Sequence, residues 1–370
     1  MTSTNEAIPP NNLVDEAIGF LSTVLPADWK VERQNRTSQQ TGRAVDGFLN
    51  IIAPGGVAGS FYAQSGTSMN PRDVQQLVNG PTLALQTQGT ILLAIAPWLS
   101  EASQKLLTEA GWSYVDLTGN VRISVSNPPL FVHLQGAKRD PAPRARGTLR
   151  LGGARTGRLL RFLCDVRPPY GVREVAAATG LNQGWVSEIL KTLYNQGLVD
   201  KSGPRGAINA ADPPGIIRRW AETYDLFRAN DSQSFIAPDG ARRCLEELVE
   251  MGDAAPRWEL TGSFAAVTYS PVAAPRLLAI YTEDRPDLAR RLRLLPADTG
   301  ADVVLLSPFD TVVRDRSTVR NGIPTVAPSQ LAVDCLTGNG RMPAEGDAIL
   351  AWMTEHETEW RIPSIKDYLQ

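Results

Sequence analysis

The chain has 370 residues, a formal net charge of -2, 42% hydrophobic residues and 21% charged residues. This length exceeds one ordinary core and indicates two or three domains, and the composition is that of a soluble globular protein. The N-terminus shows no signal peptide, and no apolar run approaches the ~20 residues that span a bilayer, so we expect a cytoplasmic protein without a membrane segment.

The cysteines and histidines argue against two common kinds of site. Cys164, Cys244 and Cys335 lie far apart without C-x-x-C spacing, so neither a zinc site nor a disulfide framework is indicated. His133 and His356 are the two histidines, which leaves little scope for histidine-based catalysis or metal binding. We therefore expect neither a metal nor a cofactor.

Residues 1–136 predict a small α/β domain. Helices are predicted over residues 13–25, 73–78 and 100–110, the last with Ser100 as its cap and Gly111 after its end. Segments rich in β-formers lie between turn residues. These segments are 29–33, 48–53, 60–64, 90–96, 114–125 and 130–134.

Basic residues are concentrated ahead of the middle of the chain. Residues 138–167 contain nine Lys or Arg and two Asp, and residues 137–150 have the Pro, Ala and Arg content of an exposed linker. A near-neutral total charge does not exclude nucleic acid, because local charge decides such binding. The run is either a contact for nucleic acid or a solvated linker.

The segment 171–199 predicts a helix, a tight turn and a second helix. In the first helix Val172, Val175 and Ala176 share one face, and Gly180 suits a left-handed exit. Asn182 can cap the second helix through its side-chain oxygen. An apolar stripe at i, i+3, i+4 and i+7 follows, formed by Val186, Ile189, Leu190 and Leu193.

The remaining face of the second helix is polar and is predicted to point outward. It carries Gln183, Trp185, Ser187, Glu188, Lys191, Thr192 and Asn195. Such groups can bond base edges or phosphate oxygens, although Glu188 would repel phosphate and Trp185 is bulky for this position.

After the second helix, residues 197–199 and the basic glycine turn 201–206 predict a β-hairpin wing. With a first helix over 156–166, residues 151–212 predict a winged helix-turn-helix that binds double-stranded DNA.

The expected DNA contacts divide by position. Gln183, Trp185, Ser187 and Lys191 approach the major groove, and Arg205 approaches the phosphates or the minor groove. Further basic side chains contact the DNA backbone. The full set of expected DNA-binding residues is Arg155, Arg158, Arg173, Asn182, Gln183, Trp185, Ser187, Lys191, Thr192, Asn195, Lys201 and Arg205.

Residues 213–370 predict a second α/β domain with a regulatory or dimerisation role. Helices are predicted over 214–228, 241–251, 287–294 and 347–356, and buried strands over 277–281 and 301–306. In the first of these helices the inward side chains are Ile216, Ile217, Trp220, Tyr224 and Phe227.

Three stretches together resemble one family. These are residues 96–123 with the sequence D-L-T-G-N, residues 157–199, and W-E-L-T-G-S-F-A-A together with residues 326–353. They are similar to actinobacterial winged-helix regulators grouped with the AbiEi-type antitoxins of abortive-infection toxin-antitoxin systems. The resemblance implies sequence-specific DNA binding and control of the protein's own or neighbouring genes, and it leaves open whether a toxin partner exists.

The resemblance also implies a restriction-endonuclease-like fold for the first domain. A nuclease of that fold needs an Asp followed by E-x-K or D-x-K to hold Mg²⁺. Asp46 can stand for the first carboxylate, but Tyr62 and Gln64 stand where the acid and the lysine of E-x-K belong. In addition, residues 47–71 and 74–100 contain no Asp, Glu, Lys, Arg or His. We expect a catalytically silent scaffold, dimerisation surface or ligand pocket. Asp116 and Asn120 are polar, and a turn held by their side chains explains their presence without a functional role.

The C-terminal T-G-S-F-A-A, residues 261–266, faintly resembles the Gly-Ser turn of nucleotidyltransferases. The next strand ends in Glu283 and Asp284, which are adjacent in sequence. Neighbouring strand residues point to opposite faces of a sheet, so these carboxylates would not converge on one metal.

The sequence thus predicts a multidomain α/β protein in which two catalytically silent α/β domains flank a winged helix. We expect a cytoplasmic, nucleoid-associated transcriptional regulator that binds a palindromic operator as a homodimer. One alternative is an antitoxin with a protein partner, or a sensor of a small molecule or single-stranded DNA. A further alternative is a metal-dependent nuclease or nucleotidyltransferase.

Overall fold

The computed structural model describes residues 10–34, 46–67, 69–80, 90–137, 151–202, 206–272 and 274–369. The chain divides into two units, one of residues 1–148 with 195–197 and one of residues 149–194 with 198–370. Helices and strands are mixed throughout, with a helix-turn-helix in the middle of the sequence, which confirms the predicted α/β class. No helix among the described residues is long and apolar enough to cross a membrane.

The first unit is built on a mixed sheet whose described strands follow chain order, β1 to β7. Strand β4 pairs in parallel with both β3 and β5, and the other pairings in this sheet are antiparallel. The strands are β1 Lys30–Gln34, β2 Asp46–Ile52, β3 Ala58–Ser65, β4 Ile91–Ala96, β5 Ser113–Asp116, β6 Val121–Val125 and β7 Leu130–Leu134. The helices are α1 Pro10–Val24, α2 Pro71–Val78 and α3 Glu101–Glu109.

Two apolar clusters hold this unit together, and each contains one set of alternating strand residues. Leu13 and Leu21 of α1 belong to the cluster that contains Phe61, whereas Val74 of α2 and Leu107 of α3 belong to the cluster of the neighbouring residue Tyr62. Because successive strand residues point to opposite faces, the sheet is covered on both sides.

The predicted strand 114–125 is two strands, because a polar turn interrupts it. Asp116 is fully buried, and its carboxylate accepts hydrogen bonds from the Leu99, Thr118 and Asn120 backbone amides at 2.9, 2.9 and 3.0 Å. The Asn120 side-chain amide donates to the same carboxylate at 2.8 Å. The sequence D-L-T-G-N therefore builds a turn, as the residue pattern predicts.

The nuclease-like positions lie on β2 and β3. The Asp46 side chain lies outside the described residues, and its backbone partner across the sheet is Gln64. Tyr62 is 4% exposed and its ring packs 5.2 Å from that of Phe48. Tyr62 therefore takes part in the apolar packing of this sheet face.

The second unit contains the helix-turn-helix and a second mixed sheet of described strands in the order β13-β10-β14-β12-β11-β16-β15. Its helices are α4 Ala154–Asp165, α5 Val172–Thr179, α6 Gln183–Asn195, α7 Pro213–Ala221, α8 Leu226–Ala229, α9 Ala241–Met251, α10 Gly262–Ala266, α11 Arg285–Arg291, α12 Pro328–Leu336, α13 Met342–Glu355, α14 Glu357–Trp360 and α15 Ile365–Tyr368. Its strands are β8 Val199–Lys201, β9 Ile208–Ala211, β10 Asp231–Ile236, β11 Trp258–Thr261, β12 Leu278–Thr282, β13 Leu295–Pro296, β14 Val303–Ser307, β15 Thr318–Arg320 and β16 Ile323–Thr325.

The predicted single helix over 214–228 is wrong, because the chain breaks after α7. The Thr223 hydroxyl donates to the Trp220 carbonyl at 3.2 Å and also to the Leu151 carbonyl. Asp225 then starts α8 by accepting from the Phe227 and Arg228 amides at 3.0 and 2.9 Å. A side chain that caps a new helix competes with continuation of the old one.

Buried polar groups join α4 to the C-terminal part of this unit. The Arg161 side chain is fully enclosed and donates to Asp165 Oδ2 at 3.0 Å and to Gln330 Oε1 at 3.0 Å. It also donates to two backbone carbonyls of the segment 312–315, at 3.0 and 2.8 Å. Ser329 donates to the other oxygen of Asp165. Arg161 and Asp165 thus satisfy each other while fixing α4 against α12.

The same network continues to a buried carboxylate in α12. Gln330 Nε2 and the Tyr224 hydroxyl each donate to Asp334 Oδ1 at 2.8 Å. The hydroxyls of Thr261 and Tyr281 donate to Asp334 Oδ2 at 2.7 and 3.1 Å. Four donors thus converge on one fully buried carboxyl group, and burial raises its pKa from 3.8 to about 6.

We expect Asp334→Asn to change how stability depends on pH. Between 3.8 and about 6 the folded Asp334 retains a proton that the unfolded chain has released, so its contribution to stability grows as the pH falls through this window. A difference of about two units between the pKa values of Asp334 in the folded and unfolded chain corresponds to about 3 kcal/mol of stability over the whole window. Urea unfolding of both proteins at about pH 5 and about pH 7 should show a smaller gain on acidification in the variant. An equal gain in both would contradict this assignment.

Candidate nucleic-acid interface

The first helix of the helix-turn-helix, α5, begins and ends at local signals in its sequence. The Glu174 carboxylate accepts from the Gly171 backbone amide at 2.6 Å, which satisfies a free donor at the helix start. Gly180 has φ 66°, and the Leu181 amide then donates to the Ala176 carbonyl at 3.0 Å. The predicted left-handed exit at Gly180 is thus observed, and it makes the turn to α6 short.

The second helix, α6, is held by its cap and by its inward stripe. The Asn182 side-chain oxygen accepts from the Trp185 amide at 3.1 Å, as the sequence predicts. The four stripe residues are each fully buried. These are Val186, Ile189, Leu190 and Leu193. The side-chain oxygen of Asn182 is therefore engaged in starting the helix, while the whole inner face of α6 packs on the core.

A row of polar side chains runs along the outer surface of α6. Gln183, Ser187, Lys191 and Asn195 are all exposed and recur every four residues. Residues at this spacing lie above one another on a helix, so the row is continuous. It offers an amide, a hydroxyl, an ammonium group and a second amide, which between them donate and accept hydrogen bonds as base edges require.

Trp185 is not a freely outward side chain, which corrects its predicted position. It is half-buried and packs against the apolar core, and the Arg155 guanidinium carbon lies 5.8 Å from its ring centroid. The indole ring is large enough to reach Arg155 on α4, and a cation over its face is favourable. Trp185 thus fixes the start of α6 against α4 and holds Arg155 beside it.

Two other predicted contacts are engaged within the fold. Arg158 forms an ion pair with Asp310, its Nη2 lying 2.8 Å from Asp310 Oδ2 and its Nε 2.9 Å from Oδ1. This guanidinium thus has a partner within the fold, and its contact with a phosphate stays a prediction. The Thr192 hydroxyl donates to the Glu188 carbonyl at 3.1 Å within α6. Arg158 thus links α4 to the segment that contains Asp310, and the Thr192 hydroxyl bonds within its own helix.

The wing is a two-stranded antiparallel hairpin of β8 and β9, with its register shifted between Asp200 and Lys201. Tyr170, ahead of α5, also pairs with Ile208 of the wing through two backbone hydrogen bonds, of 3.2 and 2.9 Å. The Lys201 ammonium lies 5.5 Å from the ring centroid of Tyr194 in α6, and burial lowers the pKa of Lys201. Arg205, predicted for the wing tip, lies outside the described residues.

The charges around α6 are mixed. Arg155 on α4, Arg173 on α5 and Lys191 on α6 are exposed, and so is Glu188 on α6. An exposed carboxylate on the outer face disfavours phosphate and suits a hydrogen-bond donor on a base edge, such as the amino group of cytosine. The exposed side chains of α4, α5 and α6 thus include both cations and a carboxylate.

A family model described as the IclR helix-turn-helix domain matches residues 154–203. The matched residues begin with α4, contain α5 and α6, and end just after β8. The protein is a DNA-binding transcriptional regulator. The match confirms the helix-turn-helix that the sequence predicts. Comparison of the whole regulator with curated proteins and with solved structures gives no match.

In this regulator the two carboxylates that follow β12 have structural partners. Glu283 pairs with Arg314, and Asp284 caps α11 by accepting from the Asp287 amide at 2.9 Å. The Ser263 hydroxyl, in the Gly-Ser turn, donates to Glu345 at 2.6 Å. Among the described side chains, no group of three or more His, Cys, Asp or Glu could hold a metal ion. An IclR-type helix-turn-helix is typical of regulators without enzymatic activity.

Three features of this interface are not marked by any pattern in the sequence. They are the stacking of Arg155 on Trp185, the ion pair of Arg158 and the backbone pairing of Tyr170 with the wing. Each depends on residues that are distant in sequence or on another helix, so periodicity within one helix carries no signal for it. The cis bond between Pro168 and Pro169 in the loop before α5 lies next to the last of these features.

Proposed function

We propose that this regulator binds a specific operator in double-stranded DNA by placing the outer face of α6 in the major groove. The row formed by Gln183, Ser187 and Lys191 supports this proposal most strongly. It is exposed and continuous, and it begins at the N-terminal end of a capped helix that is anchored on its other face. The N-terminal residues of a recognition helix are those that reach base edges.

Phosphate contacts are proposed for the cations that flank this row. Arg155, Arg173 and Lys201 are assigned to the DNA backbone, and Arg205 to the wing tip. Glu188 is proposed to accept from a cytosine amino group and so to select bases at its position. Asn195 is proposed to contact a sugar-phosphate oxygen at the far end of the row, and Thr192 and Asn182 to support the helix that carries these contacts.

The organisation proposed for the whole chain follows the sequence prediction. Residues 1–136 form a catalytically silent domain of restriction-endonuclease-like fold, 137–150 a basic linker, 151–212 the DNA-binding domain, and 213–370 a regulatory or dimerisation domain with a nucleotidyltransferase-like turn. The resemblance to AbiEi-type regulators supports control of the protein's own or neighbouring genes. We propose a homodimer on a palindromic site, because winged-helix proteins commonly bind two half-sites.

The test is a selection of bound duplexes from a genomic DNA library with the full-length regulator. We expect recovered fragments to share an inverted repeat whose half-sites are about one helical turn, or a multiple of it, apart. The same selection with Gln183→Ala and Ser187→Ala combined should recover fragments without that consensus. Recovery of random fragments by the unaltered regulator would contradict sequence-specific binding.

A further inference from the structure

The two edges of the sheet in the first unit differ in character. Strand β1 at one edge reads KVERQ, and its Lys30, Glu32 and Arg33 are exposed. Strand β7 at the other edge reads LFVHL and contains no Lys, Arg, Asp or Glu. Within the described part of the chain β7 pairs with β6 alone, so alternate residues direct backbone N–H and C=O groups away from the sheet. Charged side chains commonly protect such an edge, as they do in β1.

Strand β7 leaves apolar surface uncovered on both faces of the sheet. Phe131 is 65% exposed and Leu134 is 41% exposed. Phe131 shares one face with His133, and their ring centroids lie 6.4 Å apart, while the Arg122 guanidinium carbon lies 5.8 Å from the Phe131 centroid. On the opposite face, Leu130 is only partly covered by the neighbouring apolar cluster. An unprotected edge with exposed apolar side chains is suited to pairing with another strand.

The sequence of β7 matches itself when a second copy is turned around. A two-fold axis through Val132 places Leu130 opposite Leu134 of the second copy. It also places Phe131 opposite His133 of the second copy, so leucine meets leucine on one face and ring meets ring on the other. Opposite side chains in an antiparallel pair have Cβ atoms about 4.5–5.5 Å apart, which allows both contacts. A two-fold interface requires a self-complementary surface of this kind.

Charge favours a second β7 over other occupants of this edge. Two β7 strands meet without burying a Lys, Arg, Asp or Glu from either strand, whereas pairing of β7 with β1 would place charged groups beside leucine and phenylalanine. A nucleic acid requires cations that can contact its phosphates. Strand β7 supplies none, and Arg122 on the neighbouring strand already lies over Phe131.

We propose that two copies of this regulator associate through β7, with antiparallel pairing about Val132 that joins the two sheets into one. Five residues of strand extend over about 17 Å, so the interface is small and the dimer is weak in the absence of DNA. On a palindromic operator, a joined pair presents two DNA-binding domains, and the second binds at a high effective concentration. The pairing is independent of the proposed function, whereas its effect on operator binding rests on it.

The association test is sedimentation velocity of the full-length regulator without DNA, at concentrations from about 1 to about 100 µM. We expect the dimer to predominate at the highest concentration. Phe131→Lys combined with His133→Lys places ammonium groups opposite each other across the two-fold axis, so this variant should remain monomeric. Both positions are exposed, so the fold should tolerate the change. Glu32→Lys at the centre of β1 makes the same change in net charge at the other edge and should leave the dimer intact.

A cysteine variant tests the register without altering the charge. Val132→Cys should form an intermolecular disulfide when treated with diamide, because the two-fold axis brings the two Cβ atoms close to the separation that a disulfide needs. Glu32→Cys is the matched control on β1 and should give far less cross-linked dimer. The natural cysteines are Cys164, Cys244 and Cys335, and all three are buried. Equal cross-linking of the two variants would contradict pairing about Val132.

The operator test links this association to DNA binding. The double lysine variant should bind a duplex that has both half-sites at least about tenfold more weakly than Glu32→Lys does, and a duplex with one half-site equally well. Equal binding of the two-site duplex would refute the effect on DNA. Failure of the unaltered regulator to bind any duplex would contradict the proposed function and leave the sedimentation result intact.

Two further outcomes would overturn the pairing itself. One is an unaltered regulator that stays monomeric at about 100 µM, or a double lysine variant that associates as the unaltered regulator does. The other is a monomeric regulator that binds labelled oligothymidylate and loses this binding in Phe131→Ala. That result would assign the exposed ring to single-stranded nucleic acid, whose bases stack on aromatic side chains.

Discussion

Replacement of both Lys191 and Arg173 by alanine is expected to weaken operator binding by about two orders of magnitude. Lys191 lies in the exposed row of α6, where loss of a base contact costs about 1–3 kcal/mol, and Arg173 is an exposed cation on α5 assigned to phosphate. Lys191→Ala alone should relax sequence preference at one position. Arg173→Ala alone should weaken all duplexes alike and lower the salt slope by about 1.

Fluorescence anisotropy with a labelled operator, measured over a range of salt concentrations, separates these effects. Arg242→Ala on α9 is the matched control, because it removes an exposed cation outside the residues matched by the helix-turn-helix family. Arg205→Ala is expected to behave as Arg173→Ala does. Wild-type affinity and salt slope in the Lys191 and Arg173 double variant would rule out α6 as the groove-binding helix.

Loss of the buried Arg161 is expected to lower the free energy of unfolding by about 3–5 kcal/mol. Arg161→Ala would leave the carboxylate of Asp165 buried with Ser329 as its remaining side-chain donor. It would also remove the donor that Gln330 and two backbone carbonyls now share. Such a loss is a large part of the ~5–15 kcal/mol that stabilises a typical domain.

Arg158→Ala provides the comparison, because it removes an arginine from the same face of α4 three residues away. Its ion pair joins a side chain that is 41% exposed to the 5% exposed Asp310, which keeps the Val312 amide as a donor, so we expect a smaller loss of about 1–2 kcal/mol. Urea unfolding followed by circular dichroism measures both. Similar losses for the two variants would show that the buried network around Arg161 is not what attaches α4 to the C-terminal part.

The helix-turn-helix could be predicted because its signals are local. The spacing of Val186, Ile189 and Leu193 selects the buried face of α6 without knowledge of what covers it, since helical periodicity is a property of one segment. Gly180 and Asn182 mark the turn for the same reason, as each acts on backbone groups within three or four residues. The outward row that includes Lys191 then follows by elimination.

The strands missed in the C-terminal part show the limit of that reasoning. In β10, DSQSFI, Phe235 is the buried residue, so no alternation marks a strand, yet the segment pairs with both β13 and β14. The opposite case is α12, which is buried on all sides and therefore has no polar face to reveal its period. Partners that are distant in sequence determine both elements.

By itself, the sequence determined that this protein carries a helix-turn-helix and which side of α6 faces outward, because capping and periodicity act over a few residues. The tertiary structure decided what the neighbouring arginines do. Arg155, Arg158 and Arg161 look alike in the basic run, but one is exposed and stacks on Trp185, one pairs with Asp310 and one is buried with Asp165. The physical reason is that burial and the nearest partner set the role of a charged side chain, and both come from distant parts of the chain.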